Sequence, residues 1–254
     1  MRCVVLVLAA VALASPGCGD DEGEASSGDG PPLVVSAASS MTEALEACSP
    51  AFEDAAVRLQ FAGSDELAAQ IRQGAKPDVY AAANTDLPSE LYREGLLSRP
   101  VEFATNELVL AVPKDSEIDA LDDLTRADVK VVMGSESVPI GAYTRKTLAK
   151  LPRDEEEAIL ANVRSNEPDV KGIVGKLSQG AADAGFVYVT DVKAADRALE
   201  AVELPVDLQP TVTYGVGVVD GAEHPGEARM FARQLVDGPC ADALEEAGFG
   251  PAQK

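Results

Sequence analysis

Leu33-Val34-Val35-Ser36-Ala37-Ala38-Ser39-Ser40-Met41-Thr42-Glu43-Ala44-Leu45 holds two kinds of structure and the junction between them. Leu33–Ala37 is a short apolar run of the kind a buried strand uses, and from Thr42 onward the apolar residues recur at helical spacing. Between them lie only small residues and hydroxyls. The same grammar recurs downstream. Val57–Phe61, Asp78–Ala82, Leu108–Val112, Val129–Gly134 and Gly185–Tyr188 read as strands. Thr42–Ala56, Asp65–Gln73, Pro88–Glu94, Tyr143–Leu151, Glu155–Ala161 and Val170–Leu177 read as helices. This alternation predicts an α/β protein with mixed, mainly parallel sheets flanked by helices, and ligands at the carboxyl ends of strands.

The pattern changes near the end. Thr211–Val219 reads as a long alternating strand, followed by helices at Pro225–Val236 and Cys240–Ala247 with no strand between or after them. A helical pair without its own strand packs on a sheet built earlier. The simplest arrangement is two lobes, with Leu108–Val112 and Thr213–Val218 as crossovers. Residues 33–110 and 216–254 then form lobe 1 and residues 111–215 form lobe 2.

Upstream, Met1–Arg2 and the apolar run Val4–Ala14 have the shape of a secretory signal peptide over residues 1–17, too short to span a bilayer as a helix. Ser15-Pro16-Gly17-Cys18 resembles a bacterial lipobox with Cys18 as the lipidated residue, although Ser15 stands where Leu is usual. The alternative is ordinary cleavage with full release. Residues 18–32 are acidic and rich in Gly and Ser, the composition of a disordered tether. The expected location is the extracytoplasmic face of the cell membrane. Cys48 and Cys240 remain, and in an oxidising compartment they can form a structural disulfide or stay as two thiols.

Four helix starts share one character. Ala38-Ser39-Ser40-Met41, Gly63-Ser64-Asp65-Glu66, Val138-Pro139-Ile140-Gly141 and Pro168-Asp169-Val170 leave first-turn N–H groups uncrowded. Those groups have no intrahelical partner, and the helix dipole adds positive charge there. Hydroxyls at Ser40 and Ser64 add donors, a combination that suits an oxyanion. Each start taken alone also reads as ordinary capping: Ser40-x-x-Glu43 matches a capping box, and Asp169 suits an N-cap.

The strings around these starts resemble the molybdate-binding proteins of bacterial ABC transporters. Those strings are Ala37–Leu45, Phe61–Ser64 with Leu67–Ile71, Gly74–Tyr80, Phe103–Leu110, Ser137–Tyr143 and Ala182–Asp191. The resemblance implies a two-lobed periplasmic-binding-protein type II fold and no enzymatic activity. It implies an oxyanion site made by the hydroxyl and amide of Ser40 and Ser64, the amides of Ile140 and Val170, and the phenol of Tyr188. The ligand so implied is molybdate or tungstate, with no cofactor and no free metal cation. The implied partner is a membrane permease, and the expected state is a monomer. Molybdate is fully deprotonated at neutral pH, so its site needs donors and should exclude carboxylates. Two departures from the family pattern are Ile140, where smaller residues are common, and Asp65-Glu66 after Ser64. Asp65 is expected to point outward; if it faced the cavity it would favour a protonated oxyanion such as phosphate.

Composition narrows the alternatives. The chain has 254 residues, a formal net charge of −22, six Phe, five Tyr, no Trp and a single histidine. Such acidity excludes a nucleic-acid binder, which needs a basic face. One histidine makes a zinc site or a histidine-dependent triad improbable. A serine hydrolase using Ser40 or Ser64 lacks a general base, because His224 lies in the loop-like Ala222-Glu223-His224-Pro225. The same fold binding phosphate or sulfate, and a ligand sensor, remain as alternatives. The net charge bears little on an anion ligand, because salt screens it within about 8 Å while oriented donors act at contact.

Overall fold

A computed structural model describes residues 32–252; the expected signal peptide at 1–17, Cys18 and nearly all of the expected 18–32 tether lie outside the described residues. The chain builds two sheets. The first contains β1 (Leu33–Ala38), β2 (Val57–Ala62), β3 (Val79–Ala82) and β4 (Val101–Asn106). The second contains β5 (Leu108–Pro113), β6 (Val131–Gly134), β7 (Val163–Glu167), β8 (Ala184–Tyr188) and β9 (Leu199–Glu203). The chain then returns to the first sheet with β10 (Val212–Val218) and β11 (Gly250–Pro251). Strand order is β11-β4-β10-β3-β1-β2 in the first sheet and β7-β6-β8-β5-β9 in the second.

Both sheets are mixed, but they are not mainly parallel as expected. In the first, β1 pairs in parallel with β2 and β3, whereas β3–β10, β10–β4 and β4–β11 are antiparallel. In the second, β6 pairs in parallel with β7 and β8, and β5 runs antiparallel to β8 and β9. The antiparallel half comes from the chain's two passages between sheets, which enter each sheet against its existing direction. The chain changes sheet at Glu107, between β4 and β5, and again between Glu203 and Val212. The sheet change therefore precedes the expected lobe boundaries at Leu110 and Gly215 by a few residues.

The helices are α1 (Thr42–Cys48), α2 (Ser64–Arg72), α3 (Asp86–Arg93), α4 (Pro139–Leu148), α5 (Arg153–Ala161), α6 (Val170–Ser178), α7 (Val189–Ala194), α8 (Pro225–Val236) and α9 (Pro239–Ala247). The first helix is shorter than its expected span to Ala56. It gives way to a 3₁₀ turn at Ser49–Ala51, because Pro50 has no N–H to continue the ladder. Helix α8 packs on β10 and β4, and α9 lies along α1, so the terminal helices do cover the first sheet. Their tail adds the two-residue strand β11 on β4, where no strand was expected; Pro251 is tolerated there because the position is at the sheet edge.

Burial explains which strands are visible in sequence. β3, β6 and β8 are buried at every residue, and their composition is correspondingly apolar. β7 (Val-Arg-Ser-Asn-Glu) and β9 (Leu-Glu-Ala-Val-Glu) are edge strands in which Arg164, Asn166, Glu200 and Glu203 are exposed, and neither carries an apolar run. No helix among the described residues is long and apolar enough to cross a membrane.

Candidate functional site

The four helix starts stand at the carboxyl ends of parallel strands. The turn Ser39–Met41 and α1 follow β1, α2 follows β2, α4 follows β6, and α6 follows β7; Tyr188 ends β8 itself. The two parallel groups bring these ends to one cavity. Ser40, Ser64, Ile140, Val170 and Tyr188 all line it, together with Ala38, Ser39, Ala62, Gly63, Ala83, Val138, Pro139 and Asp169. The cavity is small, about 10 Å³, far below the roughly 300–1,000 Å³ of pockets that take drug-sized ligands.

The helix starts present surplus donors instead of capping themselves. No side chain caps the Ser39–Met41 turn, α1, α2 or α4. Asp169 alone behaves as a cap, accepting from Gly172 N at 3.0 Å, which leaves the amides of Val170 and Lys171 without an intrahelical partner. In α4 Pro139 occupies the first position, so Ile140 supplies the first amide of that helix.

Both serine hydroxyls are occupied from behind. Ala83 N–H donates to Ser64 Oγ at 3.1 Å, and Tyr80 OH donates to Ser64 O at 2.7 Å. A backbone amide can only donate, so the Ser64 proton is free for the cavity. Ser40 Oγ lies 2.9 Å from Tyr214 OH on β10, and neither Ser40 nor Glu43 forms the expected capping box. Glu43 turns instead to Lys171 Nζ, at 2.7 and 2.8 Å, tying α1 to α6. Tyr188 OH is buried with no partner among the described residues. Burial holds that hydroxyl well above the usual phenol range, so it keeps its proton and is available as a donor.

Glycines set the closeness of the walls. A Cβ on Gly63 would collide with the carbonyl oxygen of Pro168 and come within 2.8 Å of Asp65 Oδ1. At Gly141 it would strike the carbonyl of Ser135 and lie 2.5 Å from that of Gly134. Asp65 does not line the cavity, but neither does it extend into solvent as expected. Its Oδ1 is buried beside Gly63 with no partner among the described residues, while Glu66 is exposed. The one acid among the lining residues is Asp169, whose carboxylate turns back to its own helix.

Several residues behind the wall lie in or near the strings quoted above but have no role assigned to them from sequence. Asn106 Nδ2 donates to Thr190 Oγ1 at 2.9 Å and to Tyr214 OH at 3.3 Å, at the point where the chain changes sheet. Asp191 is buried, accepts from Tyr188 N at 3.2 Å and lies 3.5 Å from Lys171 Nζ. Burial pushes its carboxyl up to about 7, against the downward pull of Lys171. The polar Asn106 within an apolar stretch is a visible signal; the pairing of Ser40 with Tyr214, 174 positions away, is not. Cys48 and Cys240 are joined in a disulfide with Cα atoms 5.1 Å apart, linking the end of α1 to α9. Among the described residues no cluster of His, Cys, Asp and Glu could hold a metal ion.

A family model for bacterial extracellular solute-binding proteins matches residues 33–250. The chain belongs to that family. This solute-binding protein is 33% identical over 224 residues to the molybdate-binding protein ModA of Mycobacterium tuberculosis, covering 85% of this chain and 84% of the relative. It is 27% identical over 231 residues to the molybdate-binding protein ModA of Haemophilus influenzae, covering 85% and 89%. The periplasmic molybdate-binding protein of Azotobacter vinelandii superposes with a TM-score of 0.78 at 20% identity, over 87% of this chain and 100% of that one, a likeness of fold. As a solute-binding protein it is a component of transport and not an enzyme.

Proposed function

We propose that this solute-binding protein captures molybdate, and with it tungstate, between two lobes built on its two sheets and hands the ion to the permease of an ABC transporter. One observation carries the reading: hydroxyls and first-turn amides from both sheets line one small cavity whose single acid, Asp169, caps its own helix. Ser40 and Ser64 contribute from the first sheet, and Ile140, Val170 and Tyr188 from the second. A fully deprotonated tetrahedral anion can accept from all of them. Hydrogenphosphate carries a proton and gains from an acceptor, and the one carboxylate in this lining, Asp169, is engaged through Oδ1 by its own helix. The mechanism is binding and hinge closure, with Asn106–Glu107 and residues 204–211 as the hinge segments. Molybdate relatives support the choice of ion. An anchor at Cys18 would keep the domain near its permease.

The test is thermal unfolding with an oxyanion panel. Molybdate at one hundred times its dissociation constant adds about 2.7 kcal/mol to stability, which for a domain of this size raises Tm by about 5–10 °C. Tungstate should do the same and phosphate should not. A shift with phosphate alone would overturn the reading, and a shift with sulfate alone would reassign the ion.

A further inference from the structure

We propose that Tyr214 is a positioning residue for the oxyanion site: its phenolic proton is committed to Ser40 Oγ, which leaves the serine hydroxyl only the role of donor to the bound ion. This rests on the oxyanion reading of the cavity. The direction of the Ser40–Tyr214 bond is set one link further back. Asn106 Oδ1 accepts from the backbone N–H of Glu107 at 2.9 Å, and a backbone N–H can only donate. That contact places the amide nitrogen of Asn106 on the opposite side, toward Thr190 Oγ1 and Tyr214 OH. The nitrogen has no lone pair to offer, so the Tyr214 oxygen must accept from it. Ser40 Oγ, at 2.9 Å, is the only other hydrogen-bond partner of Tyr214 OH among the described residues, so the single phenolic proton is satisfied only if it goes there. Ser40 accepts from Tyr214, and its own proton is left for the cavity that Ser40 lines.

The chain therefore runs one way, from Asn106 N–H through Tyr214 O–H and Ser40 O–H to the ion. Hydrogen bonds aligned head to tail polarise one another, so the terminal donor is strengthened. Tyr214 itself cannot swing to another partner. It is fully buried, and its ring packs edge-on against Phe103, Tyr188 and Phe249. Ser64 shows the same device in shorter form, with the Ala83 amide in the place of Tyr214. At both corners the protein presents a hydroxyl whose acceptor side is already engaged. A proton-bearing ligand oxygen finds no complementary acceptor at either corner.

Tyr214→Phe removes the phenolic oxygen and keeps the packed ring. The test is a double-mutant cycle read by calorimetric titration with molybdate. We expect Tyr214→Phe to weaken binding about tenfold in the wild-type background, the worth of one oriented hydrogen bond. In a Ser40→Ala background the same change should have almost no effect, because the group it positions is gone. In a Ser64→Ala background the tenfold loss should persist in full. A role in packing alone would weaken binding equally in all three backgrounds, and that result overturns the proposal, as does unchanged affinity in Tyr214→Phe. If wild-type protein binds sulfate or phosphate in place of molybdate, the same cycle is run with that ion. Wild-type protein that bound none of these anions would overturn the oxyanion reading, and the relay with it.

Discussion

Tyr188→Phe separates binding from folding in a single substitution. The Tyr188 hydroxyl is buried at the cavity wall with no partner among the described residues, although Tyr188 N–H is held by Asp191. A buried polar group without a partner costs about 1–3 kcal/mol, so deleting it should not lower the stability of the unliganded protein and can raise it by up to that amount. The bound state responds in the opposite sense. A hydrogen bond to a charged acceptor is worth about 1.5–3 kcal/mol, so molybdate should bind roughly 10–150-fold more weakly. The ring keeps its edge-on contact with Tyr214, 6.0 Å between centroids, so the packing is preserved. Urea denaturation without ligand measures the first effect, and calorimetric titration measures the second. A variant that binds molybdate as tightly as wild type, or one that loses stability without ligand while keeping its affinity, would refute the assignment of this hydroxyl to the ion.

Three further outcomes are expected. The buried carboxyl of Asp191, raised from 3.8 to about 7, gives stability that is fully present below pH 4 and is lost as pH rises through 7. Wild type should therefore gain about 2–3 kcal/mol relative to Asp191→Asn between pH 8 and pH 5 in paired denaturation curves; a constant difference would show that Asp191 ionises normally. Reducing the Cys48–Cys240 bond, which closes a separation of 192 residues, should lower the unfolding free energy by about 5 kcal/mol, checked by denaturation with and without reductant and by mass after alkylation. In Gly141→Ala the added methyl meets the backbone carbonyls of Ser135 and Gly134, so the first turn of α4 must shift and carry the Ile140 amide with it. Stability should fall by roughly 1–3 kcal/mol, and molybdate affinity should fall with it, measured by denaturation and titration.

What is legible in the sequence divides along physical lines. Buried parallel strands such as β3, β6 and β8 announce themselves as apolar runs, and small residues mark the helix starts after β1, β2, β6 and β7. Those local signals place Ser40, Ser64, Ile140 and Val170 at strand ends, and the sheet order then brings them to one cavity. The edge strands β7 and β9 are hidden because half their residues face water. The direction of β5 and β10 is hidden too, because a strand's composition does not record which neighbour it meets. The Ser40-x-x-Glu43 pattern reads locally as a capping box, yet long-range partners outcompete it: Tyr214 takes the serine and Lys171 takes the glutamate. Asp65 shows the same limit, since its sequence neighbours do not record that its Oδ1 is buried beside Gly63, where Pro168 also comes close.

Calorimetric titration of the purified protein with molybdate, tungstate, sulfate and phosphate tests the central claim most directly. Molybdate and tungstate should each bind tightly at one site per chain, with phosphate giving no heat of binding. Tight binding of phosphate with none of molybdate would contradict the claim.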